Sequence, residues 1–397
     1  MQMNGLDCIA CGSCTRSCVF LEKYGLNVGE LAERPELFYS CFLCDRCREV
    51  CPVGISGKEI VLSGRIASAE GKKQSGKAFE KHAGKAERIP FSGYGGLLWE
   101  KDPYRFANYR ALRSGSVLWT GCNFTGFFPK TEKRLRALFK EHGIGTVHDC
   151  CQKPVYELGL SDDADRNLEK IGQRLLDGGV KELIMVCPNC YYFMKERLPE
   201  QIRCVTVYRK LAELKLGKRI SVEKQEGKAQ DKPGAKAGRE AVRFPLYLPC
   251  PDRTSQDFLR DLETFLPEET ETETFAELQC CGLGGCASIR ELGLSEELAK
   301  KAIQLSRRRA SLKDINLDGA ASDGVVSDSA ASDSTLSEGT YDCGCLYTYC
   351  ASCVGQFKRK GMYGAQHVLP LILGVKEEPS GGIRPLLNRV SGAVGMN

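Results

Sequence analysis

Twenty-two cysteines in 397 residues constrain this chain more than any other feature, because almost all of them fall into four ordered sets. The first is Cys8, Cys11, Cys14 and Cys18, and the second is Cys41, Cys44, Cys47 and Cys51, followed by Pro52. The third is Cys122, the adjacent pair Cys150–Cys151, and Cys187 with Cys190. The fourth is Cys250, the pair Cys280–Cys281, and Cys350 with Cys353. Only Cys204, Cys286, Cys343 and Cys345 are left over. Thiolates are soft ligands, and short fixed spacings bring several of them to one centre, so the pattern points to iron–sulfur clusters or zinc.

A disulfide framework is the rival reading. Adjacent cysteines and cysteines a few positions apart are poor local disulfide partners. Met1–Ala10 shows no charged leader followed by an apolar stretch, which predicts no secretory signal and a reduced, cytoplasmic chain. No apolar run reaches the roughly 18 residues needed to span a bilayer. The chain is therefore expected to be cytoplasmic, or peripheral on the cytoplasmic face of a membrane through a partner. Lys and Arg number 56 against 51 Asp and Glu, a formal charge of +5. That excess is too small to imply nucleic acid, and no run interleaves basic with aromatic residues.

The length allows two or three domains. Residues 1–92 hold both tight sets in a mainly helical module, with a helix from Lys58 to about Glu70 and then a Lys- and Gly-rich connector. From Val117 the pattern turns α/β. Val117-Leu-Trp-Thr and Leu183-Ile-Met-Val-Cys read as buried strands, and helices are predicted from Pro129 to Gly143, Asp163 to Leu176 and Tyr208 to Leu216. This first unit spans 115–217. A linker, 218–243, leads to a second unit, 244–375. There a strand at Phe244–Leu248, helices at Asp252–Phe265 and Leu294–Leu312, a strand at Cys345–Tyr349 and a closing helix at His367–Leu373 repeat the order. Cys122 to Cys250 is 128 positions and Cys150 to Cys280 is 130, but Cys187 to Cys350 is 163. The Ser/Asp/Ala-rich stretch near 314–340 accounts for the surplus and reads as a disordered insertion.

The first two sets read C-x2-C-x2-C-x3-C and resemble the run of bacterial two-cluster ferredoxins. The resemblance implies two cubane [4Fe–4S] clusters, one held by Cys8, Cys11, Cys14 and Cys51, the other by Cys18, Cys41, Cys44 and Cys47. Val19 follows Cys18 where proline is usual. Zinc knuckles, the alternative, need only two cysteine pairs per site and usually longer gaps.

The other two sets read Cys, about 28 residues, Cys-Cys, a longer gap, then Cys-x-x-Cys, with Gly282 and Gly284-Gly285 after the second pair. This resembles the cysteine-rich CCG domain, which occurs twice in one subunit of the heterodisulfide reductases. The same domain recurs in the iron–sulfur subunits of anaerobic glycerol-3-phosphate dehydrogenase, glycolate oxidase and lactate-utilisation enzymes. With the ferredoxin-like part in front, the layout is similar to the iron–sulfur subunit of the membrane-type heterodisulfide reductase. It is similar also to a fusion of two subunits of the soluble enzyme, one carrying the ferredoxin-like part and one the CCG pair. The resemblance implies an α/β fold of two tandem CCG domains and one or two noncubane [4Fe–4S] clusters. The catalytic ligands would be Cys122, Cys150, Cys151, Cys187 and Cys190, and Cys250, Cys280, Cys281, Cys350 and Cys353. Disulfide cleavage takes two electrons and a cluster delivers one, so paired clusters suit that reaction. Gln152 stands where the family has glycine, which predicts a different backbone there.

The leading expectation is an iron–sulfur oxidoreductase that reduces a disulfide or heterodisulfide. The alternative is a non-catalytic electron-transfer subunit linking a flavin dehydrogenase to quinone or cytochrome. No G-x-G-x-x-G follows a strand, so a flavin would belong to a partner. The expected partners are a flavoprotein, a membrane cytochrome or a hydrogenase. Cys286 is a candidate to approach a cluster, His148 is the best candidate proton donor, and His367 matches a family position of open role.

Overall fold

Val117-Leu-Trp and Leu183-Ile-Met have no polar face to turn to water, and strands of that kind must be covered on both sides. The computed structural model describes residues 8–73, 109, 112, 115–222, 242–268, 270–275, 277–315, 340–341, 346–362 and 364–394. In it β1 (Ser116–Trp119), β2 (Gly145–Val147), β3 (Glu182–Met185) and β4 (Arg203–Thr206) form an all-parallel sheet in the order β2-β1-β3-β4. Val117 pairs with Leu183 and Trp119 with Met185, and all four side chains are fully buried. Parallel neighbours require crossovers, and the helices Pro129–Glu141 and Ser161–Asp177 lie in two of them.

The remaining strands are β5 (Ser221–Val222), β6 (Val242–Leu246), β7 (Thr270–Thr274), β8 (Thr340–Tyr341), β9 (Leu346–Thr348) and β10 (Ala365–His367). A second all-parallel sheet runs β7-β6-β9-β10. Numbered within its own unit, that order is the order of the first sheet, so the cysteine repeat is also a repeat of topology. β5 and β8 pair separately, with Ser221 opposite Thr340. One continuous apolar core serves both sheets. The N-terminal module has its own core, built on Phe20, Leu21, Val28, Leu31 and Phe38 against Ile60 and Val61 of the helix Gly57–Lys73. A small third cluster of Val19, Phe42, Cys44, Cys280, Ala287 and Leu298 joins that module to the second repeat.

Several local expectations are refined. The segment expected as one helix from Asp252 to Phe265 is a 3-10 turn at Cys250–Asp252, a helix at Asp257–Leu262 and a second 3-10 turn at Glu263–Phe265. Its first turn is spent on a buried carboxylate. Asp252 accepts the backbone N–H groups of Phe258 and Leu259, both at 3.1 Å, and the hydroxyls of Tyr192 and Tyr349. The helix at Val368–Leu373 does not close the chain, because a further helix, Arg384–Val394, packs on Cys122–Phe127 of the first repeat. On the way Glu377 caps the helix Pro129–Glu141 by accepting the N–H groups of Lys130 and Thr131, each at 2.7 Å. The connector expected beyond residue 73, the Ser/Asp-rich stretch at 316–339, and Cys343 and Cys345 lie outside the described residues. Among the described residues no helix is long and apolar enough to cross a membrane.

Candidate metal centres

The two tight cysteine runs share an unusual backbone. Ala10 and Gly12 flank Cys11 with φ of 50° and 71°, and Leu43 and Asp45 flank Cys44 with φ of 55° and 60°. Three of these four are not glycine, and each left-handed residue costs about 1–2 kcal/mol. Such strain, repeated at matching positions, belongs to a functional loop. The curl turns backbone donors onto sulfur. Cys14 Sγ accepts the N–H of Val28 and Cys47 Sγ that of Gly57, both at 3.3 Å. Cys41 Sγ accepts the N–H of Leu43 at 3.4 Å.

Cys8, Cys11, Cys14 and Cys51 line one solvent-open hollow, together with Ile9, Gly12, Asn27, Val28 and Val53. Cys11 is exposed and so are the apolar Ile9 and Val53. The other quartet is enclosed. Burial, followed by repulsion from Cys44, pushes the Cys41 thiol up to about 12, and burial raises Cys18 and Cys47 as well. Cys18 feels Cys44 and Cys41, and Cys47 feels Cys41 and Cys44, so the four sulfurs are close neighbours. Thiolates crowded out of water need compensating positive charge, and a metal cluster supplies it.

In both repeats the cysteines sit where parallel strands end, the usual ligand edge of such sheets. Cys122 opens a short helix after β1, Cys150–Cys151 follow β2, and Cys187 caps the helix Pro188–Lys195 after β3. Cys250 follows β6, Cys280–Cys281 follow β7, and Cys350 caps Ala351–Arg359 after β9. The first cysteine of each pair accepts the N–H two residues on, Gln152 to Cys150 and Gly282 to Cys280, at 3.4 Å in each case. The expected backbone change at Gln152 is absent: its φ of 62° is left-handed, as is the 78° of Gly282.

Cys190 is bonded by Cys151 and Cys187, and Cys353 by Cys281 and Cys350, which makes two equivalent trios. Gly121, beside Cys122, abuts the first trio: a Cβ there would lie 3.3 Å from Cys190 Sγ. Cys250 and Cys280 touch each other, and Tyr247 feels both Cys250 and the second trio's Cys281 and Cys353. The two repeats face each other across short bonds. Asn189 donates to Cys350 Sγ at 3.7 Å, and Asn123 to Ser352 Oγ at 2.7 Å.

Cys280 also contacts Cys44 of the N-terminal module. Contact with Cys280 lowers the Cys44 thiol and brings that of Cys250 down to about 6, the latter helped by Arg253. The buried Arg253 guanidinium stands near Cys250, Cys44 and Glu49, and donates to the Leu278 carbonyl at 2.8 Å. Fully buried Arg65 bridges the module to the first repeat, donating to the carbonyls of Phe38 at 2.7 Å and Glu157 at 2.6 Å. Lys153 is held protonated against its burial by Glu157 and then by Cys151 and Cys187. Sequence reasoning missed all three cations: the partners of Arg65 and Arg253 lie on other elements, and Lys153, although paired with Glu157 on its own helix, meets Cys187 only through the fold.

The remaining candidates divide. Cys286 lies near Arg65, Glu157 and Arg290, and burial raises its thiol. Cys204 lines a separate polar cleft with Lys195, Arg209, Asp257 and Asp261, and burial pushes its thiol up to about 12. His148 is buried with Nε2 3.0 Å from Glu132 Oε1. His367 Nδ1 accepts the N–H of Leu369 at 3.1 Å, and burial lowers its pKa to about 3.

The donor set fits iron–sulfur clusters: it is all thiol, arranged in quartets and trios, with amide hydrogens aimed at sulfur. Among the described residues no group of three or more His, Cys, Asp or Glu is disposed to hold a single metal ion. Residues 116–195 and 246–312 match the family model of the CCG cysteine-rich domain. The chain is similar to a subunit of the fumarate reductase (CoM/CoB) of Methanothermobacter marburgensis, with 24% identity over 335 residues, covering 76% of this chain and 63% of that relative. It thus carries two copies of the CCG cysteine-rich domain.

Proposed function

We propose that this chain is an iron–sulfur oxidoreductase that reduces a disulfide or heterodisulfide substrate. The N-terminal quartets would hold two cubane [4Fe–4S] clusters, and the two CCG domains one or two noncubane [4Fe–4S] clusters through the five cysteines of each repeat. Bound there, these groups supply one-electron redox chemistry. The chain's own part is to hold them with thiolates, donate amide hydrogens to the sulfurs and keep water out. The single observation that carries the reading is the contact of Cys44 with Cys280, which sets an N-terminal quartet directly against a CCG domain. The facing of the two repeats through Asn189 and Cys350 supports a shared substrate space between them. A relative named as part of a reductase agrees with oxidoreductase work alongside partner subunits. We assign residues 1–92 to the dicluster module and connector, 115–217 and 244–375 to the two CCG domains, and 218–243 to a linker. The site of action would be the cytoplasm or the cytoplasmic face of a membrane.

Protein purified and reconstituted without oxygen is expected to hold about 16 iron atoms, four for each of four clusters. With reduced viologen as donor it is expected to cleave a disulfide. Cys151→Ala and Cys281→Ala are expected to abolish that cleavage while leaving the cubane electron paramagnetic resonance signals intact. Zinc alone, or saturation near eight iron, would remove the noncubane half of the proposal. A full complement of iron with no disulfide cleavage would leave the chain an electron-transfer subunit.

A further inference from the structure

Gln279 stands immediately before the Cys280–Cys281 pair, yet its side chain leaves the second CCG domain for the N-terminal module. It is buried there, with Oε1 accepting the N–H of Val19 at 2.9 Å. Its Nε2 lies 3.3 Å from Cys18 Sγ and 3.7 Å from Cys44 Sγ. The two ends of the amide are not interchangeable. A backbone N–H can only donate, so the atom facing Val19 must be the oxygen, and both amide hydrogens are left for sulfur. The corresponding residue of the first repeat behaves differently. Asp149 accepts the N–H of Cys150 at 2.6 Å and the hydroxyl of Tyr109 at 2.8 Å, and a carboxylate has no hydrogen to give.

We infer that Gln279 is a positioning residue that fixes the centre held by Cys18, Cys41, Cys44 and Cys47 against Cys280 and sets its reduction potential. The inference rests on the cluster reading above. Reduction adds one electron to the centre, from dithionite in the titration below, and no bond is made or broken. The added negative charge falls on a centre whose sulfurs are bonded by amide hydrogens in a water-excluded site, where such bonds are strong. Donors of this kind favour the reduced form and raise the potential. Gln279 brings two of them, and the bond to Val19 keeps the amide from swinging away.

Gln279→Leu and Gln279→Glu are made in the full chain, reconstituted anaerobically and titrated with dithionite under electron paramagnetic resonance. The buried quartet's signal is identified by its absence from Cys47→Ser. At wild-type iron content, Gln279→Leu is expected to weaken reduction of that centre at least tenfold, which is about 59 mV for one electron. Gln279→Glu is expected to move it further the same way, because the carboxylate adds negative charge. The signal of the Cys8, Cys11, Cys14 and Cys51 centre is expected to stay in place in both. Full iron with both potentials unmoved overturns the inference, as does a shift confined to the other centre. Wild-type protein with no cubane signal overturns the cluster reading itself, and that is seen before any variant is made.

Discussion

The two CCG repeats have the same strand order, carry their cysteines at the same strand ends and bond the first cysteine of each pair in the same way. They differ in what lies against them. The first repeat meets its trio with a cation of its own, Lys153 paired to Glu157, and receives the N-terminal module through backbone carbonyls bonded by Arg65 and Tyr39. The second repeat puts Cys250, Cys280, Arg253 and Gln279 directly against Cys44 and Cys18. A common strand order therefore fixes where the thiols stand, while the docked neighbour decides which set lies against the N-terminal module. Under the proposed function, the second domain is the one coupled to the N-terminal centres.

The largest expected difference between the repeats in stability is one of pH. Thr206 and His367 hold the same position, capping the helix after the last strand of each sheet. The Thr206 hydroxyl accepts the N–H of Arg209 at 3.1 Å and does not titrate in the usual range. His367 accepts through Nδ1, and burial lowers its pKa from 6.5 to about 3. Below pH 6.5 the unfolded imidazole binds a proton that the folded one refuses, so the stability present above pH 6.5 is lost as pH falls toward 3. Each pH unit crossed removes about 1.4 kcal/mol, or about 4–5 kcal/mol over the window. His367→Thr is expected to flatten that part of the profile, and urea unfolding at pH 7, 6 and 5 measures it. Equal slopes for the two proteins would show that the imidazole is charged in the fold.

A smaller effect tests the docking. A Cβ on Gly284 would sit 1.9 Å from the carbonyl oxygen of Phe42, in the loop between Cys41 and Cys44. Backbone cannot yield as a flexible side-chain end does, so Gly284→Ala must push the module away. Overpacking of this kind costs about 1–3 kcal/mol. The first repeat has Pro154 at the matching place, in the helix Lys153–Glu157. Pro154→Ala is expected to cost less than about 1 kcal/mol, mostly through unfolded-chain entropy. Melting temperatures of the two variants rank them, and a drop for Pro154→Ala as large as that for Gly284→Ala would break the comparison.

Cysteine spacing made the repeat, its period and the location of the sites legible, because ligand positions are local to a strand end and survive as sequence intervals. The central strands were equally plain, since Val117, Leu118, Leu183 and Ile184 are apolar without interruption and buried on both faces. Six strands went unread: β2, β4, β5, β7, β8 and β10. These are short and often polar. Thr270–Thr274 alternates threonine with glutamate and is a strand because β6 offers its backbone, an offer that periodicity cannot see. The break at Asp252 was hidden for a related reason. Its carboxylate is bonded by Tyr192 from the other repeat, so the helix expected there was traded for a tertiary network. Gln279 carries no motif at all, and only the docked module gives its amide a purpose.

The smallest expected effect concerns a place where the repeats share a left-handed backbone but not a residue. Gly282 adopts φ of 78° with no room for a side chain, since a Cβ there would meet the carbonyl oxygen of Ser295 at 2.6 Å. Gln152 adopts φ of 62° and uses its side chain, donating to the Cys150 carbonyl at 3.2 Å and accepting from Asn167 at 3.2 Å. The left-handed conformation costs a residue with a Cβ about 1–2 kcal/mol. Glycine would relieve that strain, but it would free the unfolded chain by about 0.5–1 kcal/mol. It would also delete two partly buried hydrogen bonds worth about 0.5–1.5 kcal/mol each. The losses outweigh the relief by about 1 kcal/mol, so Gln152→Gly is expected to be slightly less stable than wild type, and Asn167→Ala, which removes one of the bonds, is expected to be destabilised as well. Urea midpoints of the two variants measure this. A Gln152→Gly protein more stable than wild type by over about 1 kcal/mol would mean that strain outweighs the bonds. Glutamine would then be retained beside Cys151 for something other than the fold.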